Sequence, residues 1–175
     1  MDDIQLRIDD FVEENSVDIE FACKNYGLSY WTCFIIHKHI RYQGVGRSLD
    51  SAFDKSRNLF ELAKKIEFNI PKNNGTNHYR KGDYIADVFV DIPKPSNTLR
   101  RLYRVDADDY QILEEFKNIK DWQAEGYQFE KIKDIDETVS LYKYSLNQPL
   151  SGNGGKAKVN KITGQIISKK SEWIS

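Results

Sequence analysis

Reactive side chains are few in this chain of 175 residues, which holds three histidines and two cysteines. The pool for acid–base or nucleophilic work is Cys23, Cys33, His37, His39, His78, Asp83 and Asp87. A thiol becomes a nucleophile when a base or a cation lowers its pKa. No local motif places such a group beside either cysteine, and free thiols in a reducing compartment account for both. His37 and His39 lie two apart, so on one strand both rings share a face, a geometry that zinc and iron sites use. His78, Asp87 or Asp91 would complete such a set. Two histidines on the polar half of a strand face need no metal, and neither a metal nor a cofactor is expected. The most reactive-looking run is His78-Tyr79-Arg80-Lys81, in an Asn- and Gly-rich stretch that reads as loop, where function concentrates. It supports one reading of the chain, a small hydrolase or nuclease using His78 or the His37/His39 pair.

Phosphate chemistry offers a second pool. Gly44, Gly46, Arg47 and Ser48 stand where a strand passes into a helix, and a glycine turn ahead of helix amides suits an anion. The run is neither Gly-x-x-x-x-Gly-Lys-Ser/Thr nor Gly-x-Gly-x-x-Gly. Gly152-Asn153-Gly154-Gly155-Lys156 matches neither pattern. The spacing Gly44-x-Gly46-x-Ser48, followed by Ala52 and Ser56, resembles the strand-to-helix segment of double-stranded RNA-binding domains. The resemblance covers about 15 residues. It implies a three-stranded sheet before the turn and small residues on the helix facing that sheet. It also implies two lysines after the serine, touching phosphates across the major groove. Here those positions hold Leu49 and Asp50, and Phe53 stands where a further lysine is expected. Only some 15 residues separate Gly27 from the turn, short for three strands.

A third pool is basic and aromatic. Arg80, Lys81, Arg100, Arg101 and Arg104, with Lys156 and Lys158 near the C-terminus, are interleaved with Tyr79, Tyr84 and Tyr103. Cations beside rings suit a single-stranded nucleic acid or another phosphate-bearing surface. Net charge is only −1, but it is segregated. Residues 1–30 carry eight acidic and two basic side chains, residues 31–104 seven and fourteen, residues 106–137 eleven and four, and residues 138–175 one and six. Such blocks steer encounters through local fields. They favour a non-enzymatic binding or regulatory protein, an accessory or inhibitor acting on a nucleic-acid-processing assembly. Its partner would be a protein or a nucleic acid. By analogy, small phage and mobile-element accessory proteins share this profile.

The elements that must carry these residues point to an α+β fold. Hydrophobic residues are 39% and charged residues 30% of the chain, neither a disordered nor a membrane composition. The longest apolar run is Phe34-Ile35-Ile36, and the start Met1-Asp2-Asp3 is no secretory signal, so a cytoplasmic protein is expected. Ile19, Ala22 and Tyr26 recur at helical spacing and predict a helix ending before Gly27. A strand is expected over 29–42, then a turn at 43–46. Ser48 caps the strongest helix, 49–68, whose stripe is Leu49, Ala52, Phe53, Ser56, Leu59, Phe60, Ala63 and Ile66. Residues 72–82 read as loop, 83–92 as the clearest strand, and 99–105 as a short one. A second good helix is expected over 108–123, with an acidic surface suited to a basic partner, and strands near 127–132 and 138–146. The sheet is expected to be small, mixed or antiparallel, and packed by the two main helices. One domain over 1–148 would be followed by a glycine-rich loop and a basic hairpin or tail over 149–175, turning near Thr163-Gly164.

Overall fold

The computed structural model describes residues 3–25, 29–66, 73–92, 94, 96–113, 117–146 and 153–173. The chain is α+β and divides into two compact units, Met1–Leu102 and Tyr103–Ser175.

The first unit opens with α1 (Asp3–Asn15), three strands β1 (Asp18–Asn25), β2 (Ser29–His37) and β3 (Ile40–Gly46), then α2 (Leu49–Lys64). It continues with β4 (Gly75–Lys81), β5 (Tyr84–Val90) and β6 (Asn97–Arg104), whose last two residues fall in the second unit. The six strands form one sheet in the order β1-β2-β3-β6-β5-β4. Both helices serve one face. Ile8 and Phe11 of α1 join Phe53, Leu59 and Phe60 of α2 in a core with Cys33, Ile35, Tyr42, Val88 and Leu99. Phe11 meets Phe53 and Phe60 edge-to-face, with centroids 5.7 Å apart in each pair.

α2 is the element whose stripe and cap are most plainly written. The Ser48 side chain accepts from the Ser51 amide, and Ala52, Phe53, Ser56, Leu59 and Phe60 are buried as their spacing predicts. Its bond to the sheet depends on small residues. A Cβ on Gly44 would lie 2.2 Å from the Ala52 carbonyl oxygen and 2.4 Å from the Ser56 nitrogen. Ser56 uses the space, donating to the Tyr42 carbonyl and accepting from the Ile35 amide at 3.3 Å.

Several elements differ from the sequence reading. Residues 18–25 are strand, not helix: Ile19, Phe21 and Cys23 alternate, and pairing along the whole of β2, from Asp18↔Ile36 to Asn25↔Ser29, outweighs the helical spacing. Tyr26 and Gly27 lie outside the described residues. The expected strand over 29–42 is a hairpin. Lys38 and His39 both take positive φ (49° and 67°), the two-residue turn whose twist suits hairpins. Gly44 and Gly46 are therefore not in a turn but in β3, facing Cys33 and Trp31. Three antiparallel strands thus precede α2, as the resemblance implied, because β1 and the hairpin occupy residues 18–46. The expected loop over 72–82 contains β4, which needs no apolar alternation because it lies at the sheet edge.

The second unit holds β7 (Gln111–Ile112), α3 (Ile119–Ala124), β8 (Gln128–Asp134), β9 (Val139–Leu146), β10 (Asn153–Asn160) and β11 (Ile166–Trp173). Its sheet order is β7-β11-β10-β9-β8. Trp122 and Tyr144 centre its core with Ala157, Val159 and Ile166. Of the helix expected over 108–123, the described residues hold 119–124, where Asn118 and Asp121 form a capping box. Upstream, Asp106 accepts from the amides of Asp108 and Tyr110, a turn that competes with helix, and 111–112 pair with β11. Residues 114–116 lie outside the described residues; among the described ones the helical part of this stretch is 119–124. Strands near 127–132 and 138–146 appear as β8 and β9. Of the expected loop 149–156, residues 153–156 are strand in β10; the remainder lies outside the described residues. The hairpin through Thr163-Gly164 is present. No described helix is long and apolar enough to cross a membrane.

Candidate nucleic-acid interface

Side chains alternate along strands and directly paired residues share a face. The register therefore sorts the first unit's sheet into a helix-covered side and a side without described helices. On the latter lie Tyr30, Phe34 and Ile36 of β2, Arg41, Gln43 and Val45 of β3, and Ile85, Asp87 and Phe89 of β5 with His78 and Arg80 opposite them. Strand β6 breaks its alternation there. Leu99 and Leu102, three apart, are both in the core, while Arg100 and Arg101 between them reach Phe89 and Asp87 on the open side.

Three arginines stack on three rings across this face. The Arg47 Cζ lies 6.0 Å from the Tyr30 centroid, Arg41 5.6 Å from Phe34, and Arg100 4.9 Å from Phe89. Each lies within cation–π range. Tyr30 and Val45 remain 37% and 41% exposed, so the face presents apolar surface between its cations. Glu20 pairs with Arg41 at 2.5 Å. Asp87, 5% exposed, is the one buried carboxylate of the first unit among the described residues. It accepts from Arg101 through both Nε and Nη2 at 2.6 Å and meets His78 Nδ1 at 2.5 Å. A buried charge is tolerated where it is paired and hydrogen-bonded. The cluster also fixes His78 by one nitrogen while its side chain stays largely in water.

The sequence-derived residues separate accordingly. Arg80, Arg100 and Arg101 share the open face, and Arg47 joins them from the anion group. Lys81 points to the other side, beside a depression lined by Lys64, Lys65 and Tyr84. Arg104 ends β6 and belongs to the second unit, as do Lys156 and Lys158 on β10. Lys158 is engaged already: it bonds Asp106 and Asp108 at 2.8 and 2.7 Å and sits 4.5 Å from the Tyr110 ring centroid. Tyr79 and Tyr84 pack on the core side rather than among the arginines. Arg41, Tyr30, Phe34 and Phe89 were missed. Their period-2 placement is in the sequence, but it carries meaning only once the hairpin turn at Lys38-His39 is known.

The start of α2 offers little to an anion. Gly44 and Gly46 are committed to strand pairing and close packing, and the Ser48 side chain takes the Ser51 amide. Arg7 binds Asp50 and Asp54 there, while Phe53 is buried. His37 and His39 do not form a pair on one face. The first ends β2 and packs edge-on against Phe60, and the second sits in the turn. Burial and the nearby Lys38 and Lys64 push the His37 pKa down. Among the described residues no three His, Cys, Asp or Glu side chains gather as a metal site would require. Burial raises the Cys33 thiol to about 11 against the lowering effect of Ser56, so it is not a nucleophile near neutral pH. No family model, curated protein or solved structure matches the chain.

Proposed function

We propose that the chain is a non-enzymatic protein that binds single-stranded nucleic acid on the open face of its six-stranded sheet, as an accessory or regulator of a nucleic-acid-processing assembly. The observation that carries this reading is the set of three arginine–aromatic stacks on one face. Sheet faces bind single strands by stacking bases on rings or guanidinium planes, while cations take the phosphates. Duplex RNA is the weaker candidate, since Leu49, Asp50 and Phe53 replace the phosphate-touching lysines that the resemblance to double-stranded RNA-binding domains implies.

The test is a titration with single-stranded DNA and RNA, and with duplexes, across a salt series. Five arginine–phosphate contacts on the face give a slope of log K against log salt of about −3.5 for a single strand. Arg47→Ala with Arg100→Ala should flatten it by about 1.4 and weaken binding to every sequence alike. Absence of saturable single-strand binding at low salt would overturn the reading.

A second reading rests on His78. A buried carboxylate holding one imidazole nitrogen beside arginines is an arrangement that general-base chemistry on a phosphodiester could use. Loss of turnover in His78→Ala with thermal stability retained would favour it, and retained turnover would remove His78 from the site.

A further inference from the structure

In the second unit, register places three lysines side by side. Lys143 of β9 faces Lys156 of β10, and Lys156 faces Lys170 of β11. All three side chains therefore leave the same side of the sheet, in a row across three strands spaced about 4.8 Å apart. Like charges directly opposite one another destabilise a sheet, so the row works against folding. The rest of that side shows what a neutralised lysine looks like. Lys158, two residues from Lys156 on the same side, is held by Asp106 and Asp108. By contrast, among the described residues Lys156 is paired with Glu172 alone, at 3.9 Å. Neither Lys143 nor Lys170 has an ion pair among the described residues, and both are exposed. Glu130 stands opposite Lys143 at the end of the row without bridging it.

We infer that the Lys143–Lys156–Lys170 row is a binding track for a chain of phosphates, lying across the strands of the second unit's sheet. Three ammonium groups in line offer nine N–H donors and no acceptor, the right chemistry for successive oxyanions. A bound polyanion removes the repulsion that the empty row carries. Among the described residues no stack of exposed rings stands on this face, so the track reads backbone charge and not bases. The row consists of second-unit residues and includes none of the arginine face. The same phosphate chemistry can come from a nucleic-acid backbone or from inorganic polyphosphate.

The experiment is amine acetylation of the full-length chain at low salt, read by peptide mass, alone and with either inorganic tripolyphosphate or a single-stranded oligonucleotide. Lys143, Lys156 and Lys170 should be protected several-fold relative to the exposed Lys38 and Lys120. Protection by the oligonucleotide alone identifies nucleic acid as the source, and protection by tripolyphosphate identifies the free polyphosphate chemistry; each supports the track. Lys143→Gln with Lys170→Gln should abolish the protection of Lys156 while melting at the same or a higher temperature, since it relieves like-charge contacts. Arg47→Ala with Arg100→Ala should leave the tripolyphosphate footprint unchanged, which separates this inference from the reading of the first unit. Equal acetylation of the row with and without both polyanions would overturn it.

Discussion

Gly44→Ala is the most direct test of how α2 is seated on the sheet. The added methyl would sit 2.2 Å from the Ala52 carbonyl oxygen, 2.4 Å from the Ser56 nitrogen and 2.9 Å from the Ser56 Cβ. The two nearest obstacles are backbone, so no side chain can rotate away. Helix and strand must part by about 0.8 Å merely to reach the 3.0 Å below which Cβ contacts essentially never fall. Overpacking of this kind costs about 1–3 kcal/mol or more. Parting the elements also strains the Ser56 bonds to Tyr42 and Ile35, worth ~1 kcal/mol each. The sum, about 3–5 kcal/mol, corresponds to a melting shift of more than about 10 °C for a unit of this size. The assay is urea unfolding followed by the helical circular dichroism signal, which α1 and α2 dominate with 13 and 16 residues against 6 in α3. Gln43→Ala, one residue away on the open face, is the control and should stay within about 0.5 kcal/mol of the parent. Equal unfolding midpoints for the two variants would refute the close-packing argument.

Two further outcomes follow from the ion clusters. Asp87→Asn removes the charge that Arg101 and His78 share. Because both partners are largely exposed, water screens the loss, and the expected cost is ~2 kcal/mol in the first unit, read from urea midpoints. A variant as stable as the parent would show that Asp87 is not a fold-stabilising charge. In the second unit, burial disfavours ionised Asp106, but bonds from Lys158 and from the Tyr110 and Asp108 amides prevail and lower its pKa. Burial likewise opposes charged Lys158, yet its bonds to Asp106 and Asp108 raise its pKa. The Asp106 contribution is thus present above its ordinary value of 3.8 and fades as pH falls through the lowered one. The Lys158 contribution is complete below 10.5 and fades as pH rises through the raised one. Lys158→Met should lower stability near neutral pH and flatten both flanks of its pH profile, measured by thermal melting from pH 3 to 11. A variant profile parallel to the parent's would exclude the cluster as the source.

What the sequence determined by itself is local. Ser48 and the stripe from Ala52 to Phe60 specify α2, because capping and 3.6-residue periodicity act within one element. The alternation of Tyr84 to Val90 specifies β5, and Thr163-Gly164 the last hairpin, for the same reason. The α+β class follows from those elements. Residues 18–25 show the limit: Ile19 and Ala22 fit a helix, Ile19, Phe21 and Cys23 fit a strand, and only pairing with β2 chooses between them. The same holds at Lys38-His39, where the turn splits what reads as one strand and sends the two histidines apart. The arginine face and the lysine row are tertiary in origin. Arg41, Arg47 and Arg100 stand up to 59 positions apart, and Lys143, Lys156 and Lys170 come from three strands. Nothing local tells which cations share a side, because that depends on strand order and register. A shift of one residue in a strand of the row would turn its lysine to the opposite face. Asp87 shows the same dependence, an ordinary strand aspartate in the sequence that the packing of β4, β5 and β6 turns into the buried centre of an ion cluster.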